Sequence, residues 1–324
     1  MKTNQLTRMV LLLLIGLTSL SAVHLTQVKK IKVGNSPTYA ALSPDGRLLF
    51  VANFASDEIS VIDTATLRTI KKFYGGHEPV GIAITPDADK IFVTNLAGGL
   101  IKVIDAKTYE VKDDIKVGDT PSNITISPRG GQAFVTNYGR GRIGRIDFID
   151  TSTHRILGEV EVGVRPLASV VSELGDRLYV VCGGSNDLYI IDISQRRVIE
   201  TLPVGQGPDA LAFSPDGNTL YISNSGTHDV SIVDLIDLKE IRREKVGSKP
   251  FSIAVNKDGF IFVVESEDKT LSLFSPDFEK ITTVKVGDRP IDVKLSPDER
   301  FAYVTVEQDN RVFVFEITDD TPDR

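Results

Sequence analysis

Apolar and polar residues alternate along short runs throughout this chain, as in GIAITP (81–86), KIFVTN (90–95) and LIKVID (100–105). A period of two marks a strand with one face in a core and the other in a different environment. Helical spacing appears nowhere after the first two dozen residues, so the pattern predicts an all-β protein. Turn formers separate the runs. Ser43-Pro44-Asp45-Gly46 and Ser214-Pro215-Asp216-Gly217 predict tight hairpins, because proline presets φ and glycine accepts φ above zero.

The runs recur as seven copies of one pattern between about Val28 and Ile317. Its anchoring prolines, Pro37, Pro79, Pro121, Pro166, Pro208, Pro250 and Pro290, stand 42, 42, 45, 42, 42 and 40 residues apart, a propeller-blade period. A glycine stands three residues before each proline, from Gly34 to Gly287, where one blade gives way to the next. Each copy reads as a four-stranded antiparallel meander. Asp63, Asp105, Asp150, Asp192 and Asp234 end third strands and are expected to cap the following turn through their carboxylates. The last copy stops after its third strand, 311–317, and residues 27–32 match the missing outer strand in phase. The N-terminal strand is therefore expected to complete the seventh blade and remove its open edge. Residues two and four past each proline are placed on the ring axis. Most are small, and the exception, Asp292 with Lys294, is expected to form a local ion pair.

Phe92-Val93-Thr94-Asn95 and Phe134-Val135-Thr136-Asn137 match a Tyr-Val-Thr-Asn signature, and Phe50-Val51-Ala52-Asn53 and Tyr221-Ile222-Ser223-Asn224 are near matches. On these residues the chain resembles the YVTN-repeat seven-bladed β-propeller family, with its surface-layer-like and periplasmic members. The resemblance spans nearly the whole repeat array. It implies an all-β, seven-bladed β-propeller of four-stranded antiparallel blades, with the N-terminal strand completing the last blade. It implies little about activity, since related propellers include binding proteins, lactonase-like enzymes and cofactor-carrying oxidoreductase domains.

Charge and leader narrow the class. A net charge of −7 opposes the concentrated basic footprint that nucleic acid requires. Lys2 and Arg8 precede an apolar run over 9–17 and small residues ending at Ala22, the pattern of a secretory signal peptide. The expected organisation is a signal peptide over 1–22, a propeller over 23–317 and a polar tail over 318–324. An exported protein, periplasmic or extracellular, with no membrane span after leader removal, follows. The single cysteine, Cys182, excludes an intrachain disulfide and falls at a strand position, where a buried inert thiol is expected.

Catalytic signatures are scarce. His24, His77, His154 and His228 fall in four different repeat settings, unsuited to a shared metal. The chain lacks tryptophan, GxSxG, HExxH, CxxCH and a phosphate loop, so no cofactor and no metal site are expected. One departure from the repeat stands out. The step from Asn137 to Asp150 is thirteen residues where the other copies have ten, and the added stretch carries Arg140 and Arg142. With Arg165 in the next connection these are expected to converge on one sector of the upper rim, where guanidinium groups bind carboxylate, phosphate or an acidic partner surface. Glu78, Arg165, Lys249 and Arg289 immediately precede anchoring prolines on the same rim, beside His77. The candidate ligand- or partner-binding set is thus Arg140, Arg142, Arg165, Lys249, Arg289, His77 and Glu78. The expected function is a non-enzymatic binding module presenting upper-face loops to a protein partner, an envelope polymer or a small anion. A lactonase-like hydrolase built from upper-face acids such as Asp57, Asp209 and Glu265, and an accessory of a periplasmic redox system, are the alternatives.

Overall fold

A computed structural model describes residues 23–319; residues 1–22, expected as a signal peptide, residues 320–324 and the side chain of Arg140 lie outside the described residues. Seven four-stranded antiparallel sheets form a closed ring. Blades 1 to 6 occupy 37–74, 79–116, 121–164, 166–203, 208–245 and 250–285, and each begins its innermost strand at the anchoring proline. Neighbouring innermost strands pack side by side, and Pro290–Leu295 closes the circle against Pro37–Leu42.

Closure follows the expected route. Val23–Lys32 is the outer strand of blade 7, antiparallel to Arg311–Asp319, from Val23 opposite Asp319 to Lys32 opposite Arg311, with a bulge between Gln27 and Lys29. The strand is longer than its repeat match. Its buried residues serve two interfaces: Val23 and Leu25 join the core shared with blade 6, while Ile31 joins the core shared with blade 1.

The alternation in the second strands does not separate core from water. In Leu48–Asn53 and Lys90–Asn95 every residue after the first is buried. Each blade is sandwiched between two others, so alternate side chains serve opposite cores. Leu49 and Val51 pack toward blade 7, and Phe50 and Ala52 toward blade 2. The outer strands, such as Arg68–Tyr74, are the most exposed to water.

The turns follow their residues. Asp63 Oδ1 accepts the Thr66 amide at 2.7 Å and its hydroxyl at 2.6 Å. Asp150 accepts bonds from Ser152 and Thr153, which pull its carboxyl down to about 2. In blade 3 the added residues build regular structure: a 3-10 turn at Gly139–Gly141 and lengthened strands Ile143–Asp150 and Ile156–Val164. Arg145 sits in the first of these strands, 3.0 Å from buried Asp147 and 2.6 Å from Glu159. The excess basic charge there is partly neutralised inside the blade.

Candidate functional site

The upper mouth of the central channel is built by two columns of the repeat. One is the residue directly after each anchoring proline, the other the residue directly after each second strand. Phe54, Val80, Leu96, Leu167, Phe251 and Ile291 give a cavity of about 340 Å³ its apolar wall. The polar lining is Thr38, Tyr39, Tyr138, Arg165, Asp209, Arg289 and Glu307. Apolar walls with a few convergent polar groups are the usual make-up of a small-molecule site.

Asp209 is the buried charge of this mouth. It is only 9% exposed, and its Oδ2 has no hydrogen-bond partner among the described residues. Burial raises its carboxyl to about 6, against the opposing pull of the Ser225 hydroxyl and the Arg165 guanidinium. Burial also lifts the Tyr39 phenol well above its ordinary value, reinforced by Tyr138, Asp292 and Asp209. Tyr138 is raised for the same main reason, with Arg165 and Ser122 opposing. Both phenols are therefore neutral hydrogen-bonding groups at physiological pH.

The two guanidinium groups at the mouth differ. Arg289 grips Glu307 through two contacts, Nε to Oε2 at 2.9 Å and Nη1 to Oε1 at 3.2 Å. Burial raises the Glu307 carboxyl while Arg289 lowers it. The side chain of Arg165, an exposed residue, makes no hydrogen bond or ion pair among the described residues, while its carbonyl accepts the Gly183 amide at 2.9 Å and its backbone holds φ at 58°. Its guanidinium is thus available to an incoming anion.

Below the mouth, the axis residues line a channel cavity of about 540 Å³. The expected ion pair is present: Lys294 Nζ lies 3.0 Å from Asp292 Oδ1. Asp292 also accepts the Ala40 amide at 3.1 Å and the Ser252 hydroxyl at 3.0 Å, tying blade 7 to both neighbours.

The other candidate residues distribute around the face. Arg142 lines a separate hollow of about 640 Å³ with Asp119, Thr120 and Arg145. Arg165 thus shares a cavity with Arg289, while Arg142 lines another. Lys249 Nζ is 3.6 Å from Glu267. His77 and Glu78 share one carboxylate, Asp57, which takes the His77 ring at 2.9 Å and the Glu78 amide at 2.9 Å. Those two bonds, the Glu78 amide foremost, hold Asp57 below its ordinary value. His228 accepts the Lys249 amide at 2.9 Å, and His154 pairs with Asp113 at 2.9 Å. Among the described residues no group of three or more His, Cys, Asp or Glu side chains gathers as a metal site.

Sequence reasoning passed over Tyr39, Tyr138 and Glu307 as site residues and treated Asp209 as one of several scattered acids. A signal was present. In the column after the prolines the residues are Thr38, Val80, Ser122, Leu167, Asp209, Phe251 and Ile291, and Asp209 is its one acid.

Comparison with known proteins agrees with the architecture. Hydrazine synthase of Kuenenia stuttgartiensis superposes with a TM-score of 0.81 at 23% identity, covering 90% of this chain and 97% of that one. No curated protein matches the sequence. Residues 17–286 match the family described as "Lactonase, 7-bladed beta-propeller", and the chain belongs to that family.

Proposed function

We propose that this propeller binds a small organic acid at the upper mouth of its channel, the acid's carboxylate meeting Arg165 and its apolar body lying on Phe54, Leu96, Leu167 and Phe251. The observation that carries this reading is the pairing, in one apolar cavity, of an uncommitted Arg165 with a buried Asp209 whose Oδ2 lacks a partner. A buried carboxyl with an unused oxygen is costly, and a ligand hydroxyl would satisfy it. The acid suited to the mouth therefore carries a hydroxyl as well as its carboxylate. A cavity of about 340 Å³ suits such a molecule better than a polymer or a folded partner. Exported placement belongs to the same proposal, resting on the leader pattern over 1–22, and so does the finer YVTN-repeat assignment, resting on 92–95 and 134–137.

Hydrolysis of a lactone is the second reading, favoured by family membership and by the carboxyl of Asp209 near 6. A base in that range takes a proton from water at neutral pH, and Arg165 would stabilise the oxyanion formed at the attacked carbonyl. The product is a hydroxy acid, so both readings place the same chemistry in the same mouth. The likeness to hydrazine synthase carries fold alone and supports no redox role.

Incubating the protein with a panel of aliphatic and aromatic lactones, while following proton release and the melting temperature, separates the readings. Turnover lost in Asp209→Asn supports hydrolysis. Stabilisation by hydroxy acids without turnover supports binding alone. Neither turnover nor stabilisation would sink both.

A further inference from the structure

The outer edge of the disc has an uneven charge. Three neighbouring outer strands, Lys280–Lys285 (KITTVK), Val23–Lys32 (VHLTQVKKIK) and Arg68–Tyr74 (RTIKKFY), contain eight Lys and Arg residues and no Asp or Glu. They adjoin one another around the perimeter, and the Thr69 hydroxyl reaches the Lys32 carbonyl at 2.7 Å. The next two outer strands, Val111–Lys116 (VKDDIK) and Ile156–Val164 (ILGEVEVGV), carry four acids against two lysines. In a chain of net charge −7 the edge of blades 6, 7 and 1 is therefore basic with no acid of its own, whereas the outer strand of blade 5, Lys239–Lys245 (KEIRREK), sets two glutamates among its four cations.

Half of these cations are engaged within the fold, Lys30 and Lys280 over the Phe313 and Phe274 rings, Lys72 with Glu58 and Lys285 with the Asp268 carbonyl, and the other half are uncommitted. Lys29, Lys32, Arg68 and Lys71 are exposed and make no ion pair among the described residues. The glutamates of the third strands behind them are already engaged, Glu58 by Lys72 at 3.4 Å and Glu316 by Arg300 at 3.8 Å. Exposed apolar side chains stand between the basic ones: Val28, Ile70 and Tyr74.

We infer that this edge docks on the surface of an anionic lipid bilayer. A soluble polyanion matches the charges but offers nothing to Val28, Ile70 and Tyr74. A bilayer presents anionic headgroups over an apolar layer, and lysine interleaved with aliphatic and aromatic side chains suits that interface. The overall negative charge does not prevent docking, because charges beyond a Debye length of about 8 Å are screened at physiological salt while the edge is in contact.

The test uses a chain beginning at Val23, which retains every strand of the closed ring. Its sedimentation with phosphatidylcholine vesicles is compared with that on vesicles also containing phosphatidylglycerol, at low and physiological salt. The expected result is binding to the anionic vesicles only, weakened by salt, and reduced at least about tenfold by combined Lys29→Glu, Lys32→Glu and Lys71→Glu substitution. Charge reversal elsewhere on the disc, at Lys116, Arg155 and Arg197, alters net charge equally and should leave most binding intact. Three results would overturn the inference: equal behaviour toward both vesicles, equal loss in both triple variants, or capture by soluble polyglutamate with no vesicle binding. The last would assign the edge to an acidic polymer. Circular dichroism melts of both triple variants establish that they remain folded.

Discussion

The amide of Gly34 donates to Oδ1 of Asn53 at 2.9 Å, and a Cβ placed on Gly34 would lie 2.6 Å from Asn53 Cγ. In the four blades whose second strand ends in asparagine, the glycine before the blade and that asparagine are therefore one device. The same close approach recurs at Gly76 with Asn95, Gly118 with Asn137 and Gly205 with Asn224. Gly34→Ala is expected to cost about 1–3 kcal/mol through overpacking against a fully buried side chain. Urea unfolding measures it, and an unchanged midpoint would mean the linker shifts freely.

Removing residues 23–33 should damage the ring more. It deletes the outer strand of blade 7 and the buried side chains Val23, Leu25, Ile31 and Val33, each contributing about 1.5–3 kcal/mol when fully buried. The loss also bares an unpaired strand edge. A markedly lower melting temperature and concentration-dependent aggregation are expected; a melt matching the intact chain would refute closure by this strand.

Asp209 makes stability depend on pH. Its folded carboxyl titrates near 6 against an ordinary 3.8, so between those values the folded chain keeps a proton that the unfolded chain releases. Stability should fall as pH rises through this window, by about 2–3 kcal/mol at most. Asp209→Asn removes that loss, and the variant should gain on the wild type from pH 4 to pH 7. Parallel stability curves across that range would contradict the buried-carboxylate description.

Arg165 separates stability from binding. Its φ of 58° is strained for a residue with a Cβ, and Gly207 occupies the equivalent place before Pro208 with φ 61°. Arg165→Gly is expected to leave stability unchanged or raise it by up to about 1 kcal/mol, while weakening ligand binding. Denaturant titration paired with a binding assay reads both, and a large destabilisation would show that Arg165 serves the fold.

Cys182 should be inert. It is buried, and burial pushes its thiol up to about 12. A thiol-reactive chromogen is expected to label it only after unfolding; rapid labelling of the native protein would show an opening of blade 4.

The blade count, the turns and the ring closure were legible because each rests on local chemistry repeated many times. Pro37 and its counterparts set the period, and the strand missing after 311–317 pointed to the segment ending at Lys32. The site was less legible because it arises from single departures within columns that only the closed ring brings together. Asp209 and Glu307 are far apart in sequence and share a cavity only because blades 5 and 7 converge on one axis. Arg142 and Arg165 line different hollows although the lengthened strands of blade 3 pair their neighbours Ile143 and Val164. Charge content and loop length could not show that Arg289 is committed to Glu307 while Arg165 is not.

Calorimetric titration of a hydroxy-acid panel into the wild type, Arg165→Ala and Arg142→Ala tests the proposed mouth most directly. A charge-assisted contact of about 1.5–3 kcal/mol predicts that Arg165→Ala weakens binding roughly tenfold to a hundredfold while Arg142→Ala leaves it unchanged. If no acid binds, or if affinity depends on Arg142 and not on Arg165, the upper mouth is not the site.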